Sequence, residues 1–150
     1  MTKHGYGFRL NPDPHRELST RAGRRYAKVT EGDEVVNVLP FKPKQVLCIV
    51  TAQARAVMCM ADEAAELANP GKGVTMIKVA DDDAVVGFGL GDPYGDEILT
   101  AELDNGKKVA MGPGHDEVTS RGGRGHTLAR KGKVVRVTYP EPAQDPKQVN

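Results

Sequence analysis

The chain has no tryptophan, three phenylalanines and four tyrosines among its 150 residues. A core without large rings must be assembled from Val, Ile, Leu, Met and Ala. No apolar run reaches the roughly 18 residues that a membrane-spanning helix needs, so no membrane partner is expected. The start, Met1-Thr2-Lys3-His4, carries no apolar signal region. The expectation is a soluble, cytoplasmic protein. Only two cysteines occur, Cys48 and Cys59, and they fit neither a CxxC motif nor a zinc spacing. Both lie in apolar runs, which predicts buried, reduced thiols. With a turn at Gln53-Ala54, the two would face each other across a hairpin, in reach of a disulfide. No serine stands in a nucleophile elbow, and there is no phosphate-binding loop. His115-Asp116-Glu117 has no spaced partner for zinc and reads as a surface loop. Asp81-Asp82-Asp83 reads as a solvated turn rather than a metal site. The chain is therefore expected to be non-catalytic, with no cofactor.

Charge is present but unevenly laid out. Residues 1–30 carry seven Lys/Arg and two Asp/Glu, residues 31–117 carry seven against sixteen, and residues 118–140 carry six and no acid. Two basic blocks flank an acidic middle. Such asymmetry suits a surface for a polyanion. It also suits strand edges protected by solvated Lys and Arg.

Glycine and proline are plentiful, at 17 and 10, and predict many turns between short strands. A repeat of about fifty residues organises them. Its clearest mark is Glu34-Val35-Val36-Asn37-Val38, Ala84-Val85-Val86-Gly87-Phe88 and Lys133-Val134-Val135-Arg136-Val137, with Val-Val pairs 50 and 49 residues apart. A second series is Val46-Leu47-Cys48-Ile49-Val50-Thr51 and Glu97-Ile98-Leu99-Thr100-Ala101. Both lead into tight turns. Asp104-Asn105-Gly106 is a strong hairpin signal, because Asn-Gly accepts positive φ. Gln53-Ala54 and His4-Gly5 take the same place. The following strands are Tyr6 to Leu10, Arg55 to Cys59 and Lys107 to Met111. Asp62 to Ala68 is rich in helix formers, ends at Asn69-Pro70-Gly71, and predicts one or two helical turns.

Each repeat then reaches a glycine-basic turn. The strongest is Ser120-Arg121-Gly122-Gly123-Arg124-Gly125; weaker forms are Gly71-Lys72-Gly73 and Gly23-Arg24-Arg25. A short strand follows each: Tyr26 to Val29, Val74 to Val79, His126 to Arg130. A base closes or follows each at Lys28, Lys78 and Arg130. The expected fold is all-β, with four-stranded units stacked in a propeller-like array. The approximate repeats are 1–45, 46–96 and 97–140, followed by a disordered tail over 141–150. The first repeat lacks its first strand, which leaves eleven expected strands and an open edge that invites pairing with another chain.

These units resemble blades of the C-terminal domain of the gyrase A subunit and of the related topoisomerase IV subunit. The residues that carry the resemblance are the Ile98 to Met111 hairpin, Gly71-Lys72-Gly73-Val74-Thr75-Met76-Ile77-Lys78-Val79, and Asp82-Asp83-Ala84-Val85-Val86-Gly87. The resemblance implies a β-pinwheel, a propeller-like disc whose neighbouring blades exchange strands, with this chain about half of a full domain. It further implies a disc that binds and bends double-stranded DNA around a positive rim without catalysis of its own. The implied partners are the remainder of the topoisomerase A-type subunit and its ATPase subunit. Arg121-Gly122-Gly123-Arg124-Gly125 matches the core of the family's gyrase box, with Ser120 in place of the expected Gln or basic lead. The family's DNA-cleaving Tyr lies in a separate domain, so no Tyr here takes that role.

The candidate DNA contacts are Arg21, Arg24, Arg25, Lys28, Lys72, Arg121, Arg124, Arg130, Lys131 and Lys133. Glycine lets a backbone approach phosphates closely, and Arg offers a fork for two phosphate oxygens. Phosphate contacts position a duplex without reading its sequence. The competing expectation is a protein–protein module that uses the acidic middle and the open blade edge.

Overall fold

The structure, a computed structural model, describes residues 1–18 and 20–141. Among them are ten strands and no α-helix. The strands are β1 (Tyr6–Arg9), β2 (Val46–Thr51), β3 (Arg55–Met60), β4 (Ala65–Glu66), β5 (Val74–Thr75), β6 (Val85–Gly91), β7 (Leu99–Leu103), β8 (Lys108–Met111), β9 (His126–Thr127) and β10 (Val134–Thr138). They form three sheets in the orders β4-β1-β5, β6-β2-β3-β9 and β10-β7-β8.

The middle sheet shows how the repeats interlock. The β2–β3 hairpin turns at 52–54, where the Ala54 N–H donates to the Thr51 carbonyl. It pairs on one side with β6 from its own repeat. On the other side it pairs with β9, where Arg55 stands opposite Thr127 and Ala56 opposite His126. The strand after the third glycine-basic turn thus completes the sheet of the preceding repeat. The first sheet is closed likewise by β5, with Tyr6 opposite Thr75 and Gly7 opposite Val74.

Burial follows from this stacking. All six residues of β2 are buried, because the sheet is covered on both faces. Val46, Cys48, Val50 and Met58 face the β7–β8 hairpin, packing with Leu99, Ala101 and Met111. Leu47, Ile49, Val57 and Cys59 face the first repeat, packing with Met76, Ile77 and Phe88. Strands buried on both faces read as unbroken apolar runs, which is what Val46 to Val50 shows. In β7, burial alternates, because only one face is covered.

Several expectations are corrected. The two cysteines are free, but they do not face each other. Cys48 stands opposite Met58 and Cys59 opposite Leu47, so the thiols point to opposite faces of the sheet. Burial pushes both thiols up to about 12. The segment 62–68 is not helical beyond a 3-10 turn at Ala61–Glu63. Ala64 is extended, and Ala65 and Glu66 pair in parallel with Phe8 and Arg9. The Nε of Arg9 donates to the Ala64 carbonyl at 2.7 Å. Pairing across the chain overrides local helix propensity here. The expected strands at 26–29 and 34–38 are reduced to isolated bridges, Ala27 with Gly71 and Thr2 with Val35. Asp83 is not simply solvated: its Oδ1 accepts from the Gln53 and Ala84 N–H groups at 2.9 and 2.8 Å. The expected tail lies outside the described residues except for exposed Glu141.

Candidate nucleic-acid interface

The glycine-basic turn at 120–125 is the tip of a loop strapped along the outer edge of β3. Thr119 enters beside Cys59, its N–H and Oγ1 both donating to the Met58 carbonyl at 2.8 and 3.1 Å. The chain then loops out and returns as β9. The turn at 71–73 sits in the same way between β4 and β5 on β1. The glycine before each returning strand is dictated by the packing. Gly73 and Gly125 have φ of 85° and 72°. A Cβ on them would stand 2.3 Å from the Gly7 carbonyl oxygen and 2.1 Å from that of Ala56. A side chain in the left-handed region already costs energy, and here it would also collide with backbone. Tyr26 at the corresponding place in the first repeat follows Arg25, not glycine.

Each turn leans on the strand region that follows the turn before it. The Lys28 N–H donates to the Gly71 carbonyl at 2.9 Å, and the Lys78 N–H donates to the Gly123 carbonyl at 2.8 Å. The same contact, made twice, lays the three turns in a row. A second bond, from the Gly122 N–H to the Met76 carbonyl at 2.8 Å, fastens the last of them. Along this row Arg24, Arg25, Lys28, Lys72, Arg121 and Arg124 are all exposed.

Their side chains are not equally available. Arg121 Nη1 donates to the Thr75 carbonyl at 2.9 Å, and the Arg121 N–H donates to Glu63 Oε1 at 3.2 Å. Lys72 stands 3.9 Å above the Tyr6 ring, a cation–π contact. These two help hold the turns. Arg24, Arg25 and Arg124 have no side-chain partner among the described residues. Arg21 belongs to the exposed turn closed by the Gly23 N–H donating to the Thr20 carbonyl.

Lys133 is not brought to the row by any main-chain contact. Its N–H donates to Asp104 Oδ1 at 3.0 Å, and the Asp104 N–H donates back to its carbonyl. It is therefore tied, with Gly132, to the Asp104-Asn105-Gly106 hairpin turn. Arg130 and Lys131 lie on the exposed link to that turn. Part of the acidic middle is also spent on hairpin turns. Asp33 Oδ1 accepts from the His4 N–H at 3.0 Å, as Asp83 does from Gln53. Burial pushes the Asp33 carboxyl up, but hydrogen bonds from Thr2 and from the His4 and Glu34 N–H groups, with the charge on His4, outweigh it and hold it below its ordinary value.

Arg55 is the residue that sequence reasoning missed. Its guanidinium donates to the Arg124 carbonyl at 3.2 Å, to Thr127 Oγ1 at 2.8 Å, and to the Gly125 carbonyl. It grips the main chain of the turn and leaves the Arg124 side chain outside. Tyr6 holds the same place after the first hairpin turn, where it meets Lys72. The available signal was positional: Tyr6, Arg55 and Lys107 each follow their hairpin turn directly.

Comparison with known proteins matches this architecture. The family model described as the DNA gyrase C-terminal domain, beta-propeller, matches residues 1–42 and 45–90. No curated protein matches the chain. Among solved structures, the C-terminal domain of DNA topoisomerase IV is similar with a TM-score of 0.78 at 16% identity, over 91% of this chain and 44% of that one. A DNA gyrase A C-terminal domain has a TM-score of 0.70 at 20% identity, over 93% of this chain and 47% of that one. The E. coli ParC C-terminal domain has a TM-score of 0.75 at 20% identity, over 94% of this chain and 59% of that one. The chain thus spans about half the length of the solved domains that it matches. The strand exchange between successive sheets is the pinwheel arrangement, and with the family match over more than half of its residues, the chain belongs to the DNA gyrase C-terminal domain family of type II topoisomerases.

Proposed function

We propose that the row of glycine-basic turns is a surface for double-stranded DNA, bound through its phosphates and bent without sequence readout. Three blades, 1–45, 46–96 and 97–140, would carry one turn each. The observation that carries the reading is the repeated main-chain contact, Lys28 to Gly71 and Lys78 to Gly123, which aligns the turns. Arg24, Arg25 and Arg124 are the best phosphate contacts, because no intramolecular acceptor competes for them. Arg121 and Lys72 act chiefly by holding their turns, and Lys28, Arg21, Arg130, Lys131 and Lys133 add positive potential around the row. In this reading the chain is a non-catalytic part of a cytoplasmic type II topoisomerase assembly. It acts with the remainder of an A-type subunit and an ATPase subunit.

Contact with about six phosphates would give a slope near −5 for log K against log salt, and an affinity loss of roughly 10³-fold between about 50 and 200 mM. Bending a short site costs on the order of 1–6 kcal/mol, so binding by this chain is expected to be weak at physiological salt. The test is retention of duplex DNA at rising salt. Arg24→Ala, Arg25→Ala and Arg124→Ala together should weaken retention equally for unrelated sequences and flatten the slope by about 3. No retention at low salt, or a slope unchanged by the triple substitution, would remove DNA from the row.

A further inference from the structure

The three hairpin tips are seated by one main-chain contact, made three times. The Lys3 N–H donates to the Glu34 carbonyl at 2.9 Å, the Ala52 N–H to that of Ala84 at 2.8 Å, and the Asp104 N–H to that of Lys133 at 2.8 Å. Each tip thus rests on the link that leads into a Val-Val pair. The charges on this contact are reversed once. At the first two tips the acid belongs to the link: Asp33 Oδ1 accepts from the His4 N–H, and Asp83 Oδ1 from the Gln53 N–H. At the third it belongs to the tip, where Asp104 Oδ1 accepts from the Lys133 N–H at 3.0 Å. The link Arg130-Lys131-Gly132-Lys133 is basic where Glu31-Gly32-Asp33-Glu34 and Asp81-Asp82-Asp83 are acidic.

Two of these links also wrap the tip of the preceding repeat. Residues 76–85 pass around the tip at 3–5: the Met76 N–H donates to the Gly5 carbonyl and the Val85 N–H to that of Lys3, both at 2.8 Å. Residues 128–134 pass around the tip at 52–54 in the same way. There the Leu128 N–H donates to the Ala54 carbonyl at 2.7 Å and the Val134 N–H to that of Ala52 at 2.8 Å. Each wrapping segment leaves the row just after a glycine-basic turn. Around the 52–54 tip the cations follow one another with no acid between them: Arg124, Arg130, Lys131 and Lys133, all exposed. The side chains of Arg130, Lys131 and Lys133 have no partner among the described residues. Around the 3–5 tip, exposed Lys72 and Lys78 give way to exposed Asp81 and Asp82.

We propose that a duplex lying on the row leaves it across the 52–54 tip, where Arg130, Lys131 and Lys133 form a second phosphate-binding band, and that Asp81 and Asp82 keep it off the 3–5 tip. The proposal rests on the reading of the row as a DNA surface and gives the bound duplex a path. The two tips share one main-chain frame, so the frame does not choose between them. The side chains do. Unpaired cations release counterions when they meet phosphates, whereas carboxylates set against phosphates are a like-charge contact that suppresses the wrong approach. Because the bonds that hold Lys133 to Asp104 run through its main chain, its ammonium is left for a ligand.

The test is duplex retention by the full chain at rising salt. Arg130→Gln, Lys131→Gln and Lys133→Gln together should keep the circular dichroism and flatten the slope of log K against log salt by about 3. Lys42→Gln with Lys44→Gln removes two exposed cations at the other end of β2 and should leave the slope unchanged, which separates contact from net charge. Asp81→Lys with Asp82→Lys should steepen it by about 2, by opening the 3–5 tip to phosphates. A slope unmoved by the 130–133 variant, or moved as much per charge by the 42–44 variant, overturns the band while leaving the row intact. A slope unmoved by the two lysines at 81 and 82 overturns the exclusion at the 3–5 tip. No retention by the unmodified chain at low salt removes the row and the band together.

Discussion

The first and second repeats begin from nearly the same pattern and end in different states. In the second, β2 fills the space between β3 and β6, β9 closes the far edge, and Arg55 clamps the returning turn. In the first, an apolar cavity of about 570 Å³ lies between Phe8 and Leu10 on one side and Leu39 and Phe41 on the other, and among the described residues no guanidinium grips the glycine-basic turn at 23–25 as Arg55 grips the one at 124–125. The sequences of the two are comparably apolar at the lining positions. What differs is whether a strand lies between the two faces. In this fold a repeat is therefore not a self-sufficient unit, and stability resides in the joins between repeats.

That contrast can be tested by substitution. The largest effect is expected at the centre of the filled repeat. Ile49 is fully buried, and Ile49→Ala should cost about 2–5 kcal/mol in denaturant unfolding. Val38→Ala, at a position 61% exposed beside the cavity of the first repeat, should cost less than about 0.5 kcal/mol. Equal losses would mean that the first repeat is packed as tightly as the second.

Next come the glycines. Gly125→Ala should cost roughly 2 kcal/mol or more, since the left-handed backbone is joined by a collision with the Ala56 carbonyl. Gly23→Ala meets nothing within 4 Å and should cost only the backbone term, about 1 kcal/mol. Thermal melts of the two variants side by side separate a turn fastened to a hairpin from one that is not.

The smallest effect concerns acid. The folded Asp33 carboxyl titrates below its unfolded value. Its contribution is therefore present above the unfolded value of about 3.9 and is lost as pH falls through the lower folded one. Asp33→Asn should lower stability at neutral pH by about 1 kcal/mol and flatten the decline on acidification. An undiminished acid slope in the variant would assign the decline to other carboxylates.

Much of this was legible in the chain. The Val-Val pairs at 85–86 and 134–135, the Asn-Gly turn and the unbroken run at 46–50 report local chemistry and mark strands, whereas the pair at 35–36 makes only the bridge between Thr2 and Val35. What failed was whatever depends on a distant partner. Ala64 to Glu66 reads as helix until β1 is beside it. Tyr26 to Val29 reads as a strand, but only a hairpin from elsewhere would make it one. The facing of Cys48 and Cys59 depended on a one-residue register that periodicity does not set. Among the candidate cations, sequence could place Arg121 and Arg124 in one turn. It could not tell that one is turned inward to Thr75 while the other stays outside, nor that Arg55, some seventy residues earlier in the chain, holds the main chain at Arg124 and Gly125.

The exchanged strands also set an order of events during synthesis. Arg55 waits for Thr127, 72 residues downstream, before its hairpin has a second neighbour. On the ribosome each nascent repeat must remain partly open until the next has emerged, exposing apolar strand edges at an elongation rate of about 5–20 residues per second. Slow, non-local closure of this kind makes the growing chain, rather than the finished fold, the stage most exposed to aggregation.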